Sequence, residues 1–364
     1  MFQTKAFQST VWLALIVFIL FMGREIVFVF RPAVVLITTV AFPVIVAGLL
    51  FYLTKPLVDL LQKGRVPRKL AILMVFLLGL GLLFALLIWI IPILQFQLQS
   101  LITNLPRFLA DLDRQLTDLQ ESPLFSQVEH FEFFQRWSRM DFMQMLESWV
   151  DGFLENILVY IGSVVNFGVL LITIPFFWFY MLKDSSRFSE NAAQALPEAY
   201  REPVRAMFAE ISQTLSSYIK GVLTVSAFVG TFIYIGYRVI GLDYALLLAA
   251  VAMVTNVIPY FGPIIGSVPG IIVGLFISPV TALEVLVMIV IVQQIESQFI
   301  APQVYGRRLR IHPATIIIIL LTAGALAGLL GIVLGVPAYA TGKVVVKHGA
   351  ALIRTRRMEI SNDS

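Results

Sequence analysis

The chain has 364 residues, 59% of them hydrophobic and only 13% charged, with a mean hydropathy of +0.89. Soluble domains carry about 25% charged residues, and several segments here approach the roughly 20 apolar residues that span hydrocarbon. This excludes a soluble globular protein and predicts an all-α, polytopic integral membrane bundle. The absence of cysteine excludes disulfides, thiolate metal sites and cysteine nucleophiles. The net charge of +4 gathers at membrane edges and carries no nucleic-acid signature.

The apolar run from Val11 to Phe30 is too long for a signal-peptide core and has no small-residue cleavage site, so it reads as a first transmembrane helix. A second span is expected over about 33–53 and a third over about 70–92, stopping near Pro92. Residues 93–152 mix polarity with apolar recurrence (Leu98, Leu101, Ile102, Leu105, Leu109), the pattern of amphipathic helices on the outer leaflet or covering the bundle. A fourth span covers 153–182. An amphipathic linker helix over 183–218 then feeds directly into a fifth span at about 219–240.

The last third is broken. Pieces at 244–258, 263–278 and 281–300 follow one another, the first two spanning only about 22 Å each against a core of about 30 Å. They read as a hairpin entering from one face with its tip at Pro259–Pro263. Residues 313–345, with Gly324, Gly328, Gly331, Gly335 and Pro337, permit a second broken hairpin from the opposite face; the alternative is one long tilted helix with the basic tail outside, against the positive-inside rule. Irregular backbone at membrane depth is tolerated only inside protein or along a water-filled cavity, and such paired interruptions resemble secondary transporters. The chain thus divides into helices over 1–92, an extracytoplasmic segment 93–152, a helix 153–182, a linker 183–218, a transport core 219–346 and a basic tail 347–364.

Lysine and arginine in short loops orient the protein. The 54–69 loop holds Lys55, Lys63, Arg65, Arg68 and Lys69 against Asp59 alone, and the tail is also basic. Both termini are therefore expected in the cytoplasm of a bacterial cell. The 93–152 segment, with four basic and nine acidic residues, is expected outside.

Glu296 is the sharpest candidate for function. In 283–295 only Glu284, Gln293 and Gln294 are strongly polar, and a carboxylate in such a stretch is costly in lipid and functional by default. The alternative is an interfacial pair with Arg307 or Arg308, which with His312 form a candidate cytoplasmic gate. Gln293, three residues before Glu296, is the expected partner on its face. Thr255 and Asn256 precede the break and are expected to line a polar cavity or to satisfy backbone freed by Pro259. Pro259, Gly262, Pro263 and Gly266 shape the tip, and backbone groups released there are candidates to coordinate an ion or solute. The four glycines of 313–345 predict close helix packing within the chain or between protomers.

No phosphate-binding glycine loop with its lysine, no HExxH and no GxSxG motif is present, and His130, His312 and His348 are far apart. The expectation is a non-enzyme without metal or cofactor, whose partners are the lipid bilayer and a small solute or Na+/H+.

Four stretches resemble the autoinducer-2 exporter-like family, also called the PerM permease-like family. They are FRPAVVLITTVAFPVIVAGLLFYLTKPLV (30–58), IPFFWFYMLKD (174–184), VIPYFGPIIGSVPGIIVGLF (257–276), and ESQFIAPQVYGRRLRIHP with the glycine-rich run after it (296–335). One position departs: after Tyr218-Ile219-Lys220-Gly221 the family pattern has glutamine, and this chain has Val222. The resemblance implies a transporter of about eight transmembrane elements. Three readings stay open: an exporter of a small polar solute such as a signalling molecule, a Na+(Li+)/H+ antiporter, and a non-transporting scaffold. A homo-oligomer is expected.

Overall fold

The computed structural model describes residues 27–120, 148, 152, 167–305 and 311–362. All elements among them are helical: α1 (Val27–Lys63), α2 (Arg68–Gln120), α3 (Phe167–Gln194), α4 (Glu198–Ile240), α5 (Ala245–Thr255), α6 (Phe261–Ile277), α7 (Pro279–Ile295), a π-helical turn (Glu296–Ile300), α8 (Ala301–Tyr305) and α9 (Pro313–Asn362). Most of the expected first span and the first part of the fourth lie outside the described residues, as do Arg307 and Arg308.

Five helical stretches are long and apolar enough to cross a membrane: Thr39–Lys63, Arg68–Leu112, Tyr200–Ile240, Pro279–Val304 and Leu330–Ala351. Three apolar helices are shorter: Ala245–Thr255, Phe261–Ile277 and Pro313–Gly328. This is a polytopic helical membrane architecture.

Proline proves a weaker boundary than the sequence suggests. Helix α1 runs 37 residues through Pro32, Pro43 and Pro56, and α2 runs 53 residues through Pro92 and Pro106. The expected stop near Pro92 is therefore not a break, and Leu98 and Leu101 on the continuing helix reach the main core. In hydrocarbon, unwinding would strand several backbone groups, whereas an internal proline loses one hydrogen bond.

Helices α1, α2 and α3 form one packed unit around Trp178. Its indole N–H donates to Thr54 Oγ1 at 2.9 Å, and Thr54 donates to the Leu50 carbonyl at 2.6 Å. The ring lies over Gly79 of α2, where a Cβ would meet Trp178 Cη2 at 2.5 Å.

A second core surrounds α4, whose Val225, Val229, Ile233 and Tyr237 meet buried residues of α2, α5, α6 and α7. Gly241 ends α4 in a left-handed conformation at φ 81°, donating to Arg238 and Tyr237 carbonyls. Tyr244, also left-handed at φ 59°, opens α5. Ser278 caps α7 by accepting from the Thr281 N–H at 3.0 Å, with Pro279 as the first helical residue.

Helix α9 folds back on itself. Ala327 and Gly328 leave helical geometry, Gly328 at φ 58° and ψ −140°, a conformation suited to glycine. The limbs are antiparallel and nearly touching. A Cβ on Gly331 would sit on the Ala323 carbonyl, and one on Gly335 would meet Ile319 Cγ2 at 2.9 Å. Three of the four glycines thus pack within the chain.

Candidate functional site

The first hairpin is built by α5 and α6, with 11 and 17 residues, or about 16 and 25 Å. Its tip lies slightly earlier than the sequence suggests. Residues 256–260 make the turn, Tyr260 taking φ 65°, and Phe261, Gly262 and Pro263 already form the first turn of α6. Pro263 fits there because an initial helical turn needs no amide donor.

The tip glycines serve close packing. A Cβ on Gly262 would overlap the Thr255 carbonyl oxygen, and one on Gly266 would overlap the Thr255 hydroxyl. The same stripe continues along α6: Gly270 faces the Tyr237 hydroxyl and Gly274 faces Ala282 of α7. Thr255 donates to the Val251 carbonyl at 2.8 Å, so its hydroxyl proton is used inside α5. Asn256 is the half-buried C-cap of α5, and Pro259 is half-buried in the turn.

Glu296 opens the π-helical turn, whose wider ring is closed by the Ala301 N–H on the Glu296 carbonyl. Such bulges recur at functional sites because they re-aim side chains and loosen the carbonyl ladder. Glu296 is half-buried and forms no ion pair among the described residues. The expected side-chain contact from Gln293 is not made. The Gln293 amide nitrogen is buried with no hydrogen-bond partner among the described residues, and Gln294 instead accepts from Gln298 at 2.9 Å.

Both helices pack closely on α4: a Cβ on Gly230 would touch Met253 of α5, and one on Gly236 would touch Met288 of α7. Ala252 of α5 and Ile289 and Val292 of α7 share one core with Val225 and Val229 of α4. Ser226, beside that core, is 2% exposed, with an unpartnered hydroxyl among the described residues. Ser226 is not among the residues the sequence singles out. A polar residue on the apolar face Val222, Val225, Val229, Ile233 was the available signal.

The two hairpins meet on α4. Val257 of the first tip packs against the cluster holding Tyr218, Ile219 and Val222 of α4 and Leu320 and Val336 of α9. His312 is exposed and caps α9, its Nδ1 accepting from the Ala314 N–H at 3.3 Å. At the far end of α9, Lys347 and His348 both reach Glu210 of α4 at 2.8 Å, so both ends of the second hairpin lie on the same side.

The spanning helices and the two interrupted pairs define a multi-pass membrane protein. Residues 10–351 match the family described as AI-2E family transporter, and the chain belongs to that family. It is 38% identical over 361 residues to "Putative transport protein YueF" of Bacillus subtilis (strain 168), covering 98% of this chain and 97% of that protein. It is 32% identical over 353 residues to "Putative transport protein YrrI" of the same organism, with 94% and 97% covered. With "Putative permease PerM" of Escherichia coli (strain K12) it shares 25% identity over 307 residues, 84% and 86% of the two chains.

Proposed function

We propose that this chain is a secondary transporter that exports a small polar solute across the bacterial cytoplasmic membrane. Its site comprises Thr255 and Asn256 at the first hairpin tip together with Gln293 and Glu296. The observation that carries this reading is the convergence of two helical hairpins on α4 through Val257, Leu320 and Val336. Elements that enter from opposite faces and end at mid-depth can expose one site alternately by small rigid movements. Positive charge in the α1–α2 loop supports a cytoplasmic placement for that side, with the Glu210 contacts carrying the α9 terminus to it.

Cation/proton antiport is the second reading, favoured by one observation. Glu296 sits in the Pro279–Val304 span at a π-helical turn and forms no ion pair among the described residues. One experiment separates the two. Protein is reconstituted into liposomes holding a pH-sensitive dye, and sodium, lithium or potassium is added outside. Cation-driven proton movement that Glu296→Gln abolishes supports antiport. No proton signal, together with efflux of a loaded metabolite pool, supports uncoupled export. Inertness of well-folded protein in both assays would refute transport.

A further inference from the structure

A cavity of about 1820 Å³ opens between α1, α3 and the first half of α4, and none of the transport-site residues lines it. Small-solute sites occupy about 300–1,000 Å³, so this space suits a larger amphiphile. One wall is aromatic, made by Phe51, Phe177 and Tyr180. The α4 wall is rich in hydroxyls, with Ser212, Ser216 and Ser217.

Two half-buried lysines line the same space: Lys55 of α1, whose ammonium lies 5.6 Å from the Phe51 ring centre, and Lys220 of α4. Neither forms an ion pair among the described residues. The neighbouring charges are mostly engaged. Arg205 bonds Glu190 and Glu202, and Glu210 bonds Lys347 and His348. Arg68 and Asp184 also have interaction partners, and Asp59 is exposed. The cavity therefore presents two lysines without an ion pair among the described residues, Lys55 resting over the Phe51 ring, beside the hydroxyls of Ser216 and Ser217, at the edge of the apolar spans and on the side with the basic loop.

We propose that this cavity binds an anionic phospholipid, with its headgroup phosphate between Lys55 and Lys220 and an acyl chain along the aromatic wall. The hydroxyls of α4 suit a glycerol headgroup. The apolar wall and the volume favour a lipid over a free anion. The inference stands apart from the transport reading, since neither substrate nor coupling enters it.

The test uses the full-length protein in neutral detergent, measuring thermal stability and retention of added lipid by native mass spectrometry. Phosphatidylglycerol should raise the melting temperature and remain bound where phosphatidylcholine does not. The double variant Lys55→Gln/Lys220→Gln should lose that preference, with binding at least about tenfold weaker for two lost lysine–phosphate attractions. Lys63→Gln, at the end of the same helix and outside the cavity, should keep it. Should the double variant fold poorly, Lys220→Arg should preserve the selectivity and Lys220→Gln alone should weaken it. Equal retention of both lipids, or an undiminished preference in the double variant, would overturn the proposal. An equal shift with inorganic phosphate or glycerol 3-phosphate would also overturn it, in favour of a soluble anion.

Discussion

The hydroxyl of Tyr237 lies against the backbone of Gly270, so close that a Cβ at position 270 would overlap it. Tyr237 is fully buried, and its hydroxyl finds no hydrogen-bond partner among the described residues. A buried, unpaired hydroxyl costs on the order of 1–3 kcal/mol. Tyr237→Phe should therefore be neutral or stabilising, raising the melting temperature in detergent. Gly270→Ala should destabilise by about 1–3 kcal/mol, as overpacked cores do. A clear loss of stability in Tyr237→Phe would mean that the hydroxyl has a partner and that the reading is wrong.

Gly79 and Gly81 sit two residues apart on α2, yet only the first touches Trp178. A Cβ on Gly79 would meet the indole at 2.5 Å, and one on Gly81 would meet nothing within 4 Å. Gly79→Ala should thus cost about 1–3 kcal/mol. Gly81→Ala should be neutral, or stabilise by up to about 1 kcal/mol through helix propensity. Parallel thermal melts of the two variants check this, and similar melting temperatures would count against the packing of Trp178 between α1 and α2.

How much of this was legible in the sequence depends on where the signal resides. The hairpins are legible because Pro259 and Gly328 interrupt stretches otherwise apolar enough for a bilayer. The tip fell a few residues early because Pro263 works as well inside a first helical turn as in a loop. Pro92 misled because proline is tolerated in a membrane helix that has no solvent to satisfy an unwound backbone. The π-helical turn was not legible, since Glu296-Ser297-Gln298-Phe299-Ile300 carries no local mark separating it from α-helix. α-Helical spacing puts Gln293 on the face of Glu296, but its amide nitrogen is buried without a hydrogen-bond partner among the described residues. Long-range pairs such as Trp178 with Thr54 depend on which faces meet, which one sequence does not encode locally.

Glu190 gives a pH dependence with a definite sign. The hydrogen bond from Arg205, at 2.6 Å, is the main cause that holds its carboxyl below the usual carboxylate range, with help from Gln194. A depressed folded pKa contributes stability that is present above the unfolded value near 4.3 and is lost as pH falls through the folded value. The group is exposed, so the effect is small. The melting-temperature difference between wild type and Glu190→Gln should be constant from pH 7 to about 5 and shrink as pH falls below the unfolded carboxylate value. A difference that grows on acidification would contradict the assignment.

Glu210 joins α4 to the end of the second hairpin through Lys347 and His348. Lys347 is largely solvent-accessible and the carboxylate about one-third exposed, so Glu210→Gln should change global stability by no more than about 1 kcal/mol. Its effect should instead be local, with faster amide exchange over 340–351 and unchanged exchange in α5 and α6. Equal protection of the α9 limb in both proteins would show that packing at Val336 and Ala340, not the ion pairs, holds it.

The π-helical turn offers the sharpest separation of fold from function. Five residues, Glu296–Ile300, close a ring one residue wider than an α-helical one, between α7 and α8. Removing one exposed residue there, Ser297, should let the turn relax to α-helix while keeping Val285, Ile289 and Val292 against α4. Removing Val287 from the middle of α7 instead rotates everything beyond it by about 100°, taking Ile289 and Val292 off the core. The Ser297 deletion should therefore stay monodisperse and melt near the wild type, while the Val287 deletion should aggregate. If the turn aims Glu296 at the hairpin tip, the Ser297 deletion should also lose transport despite its intact fold. Full transport by a folded Ser297 deletion would leave the π-helical turn as a packing feature and remove Glu296 from the pathway.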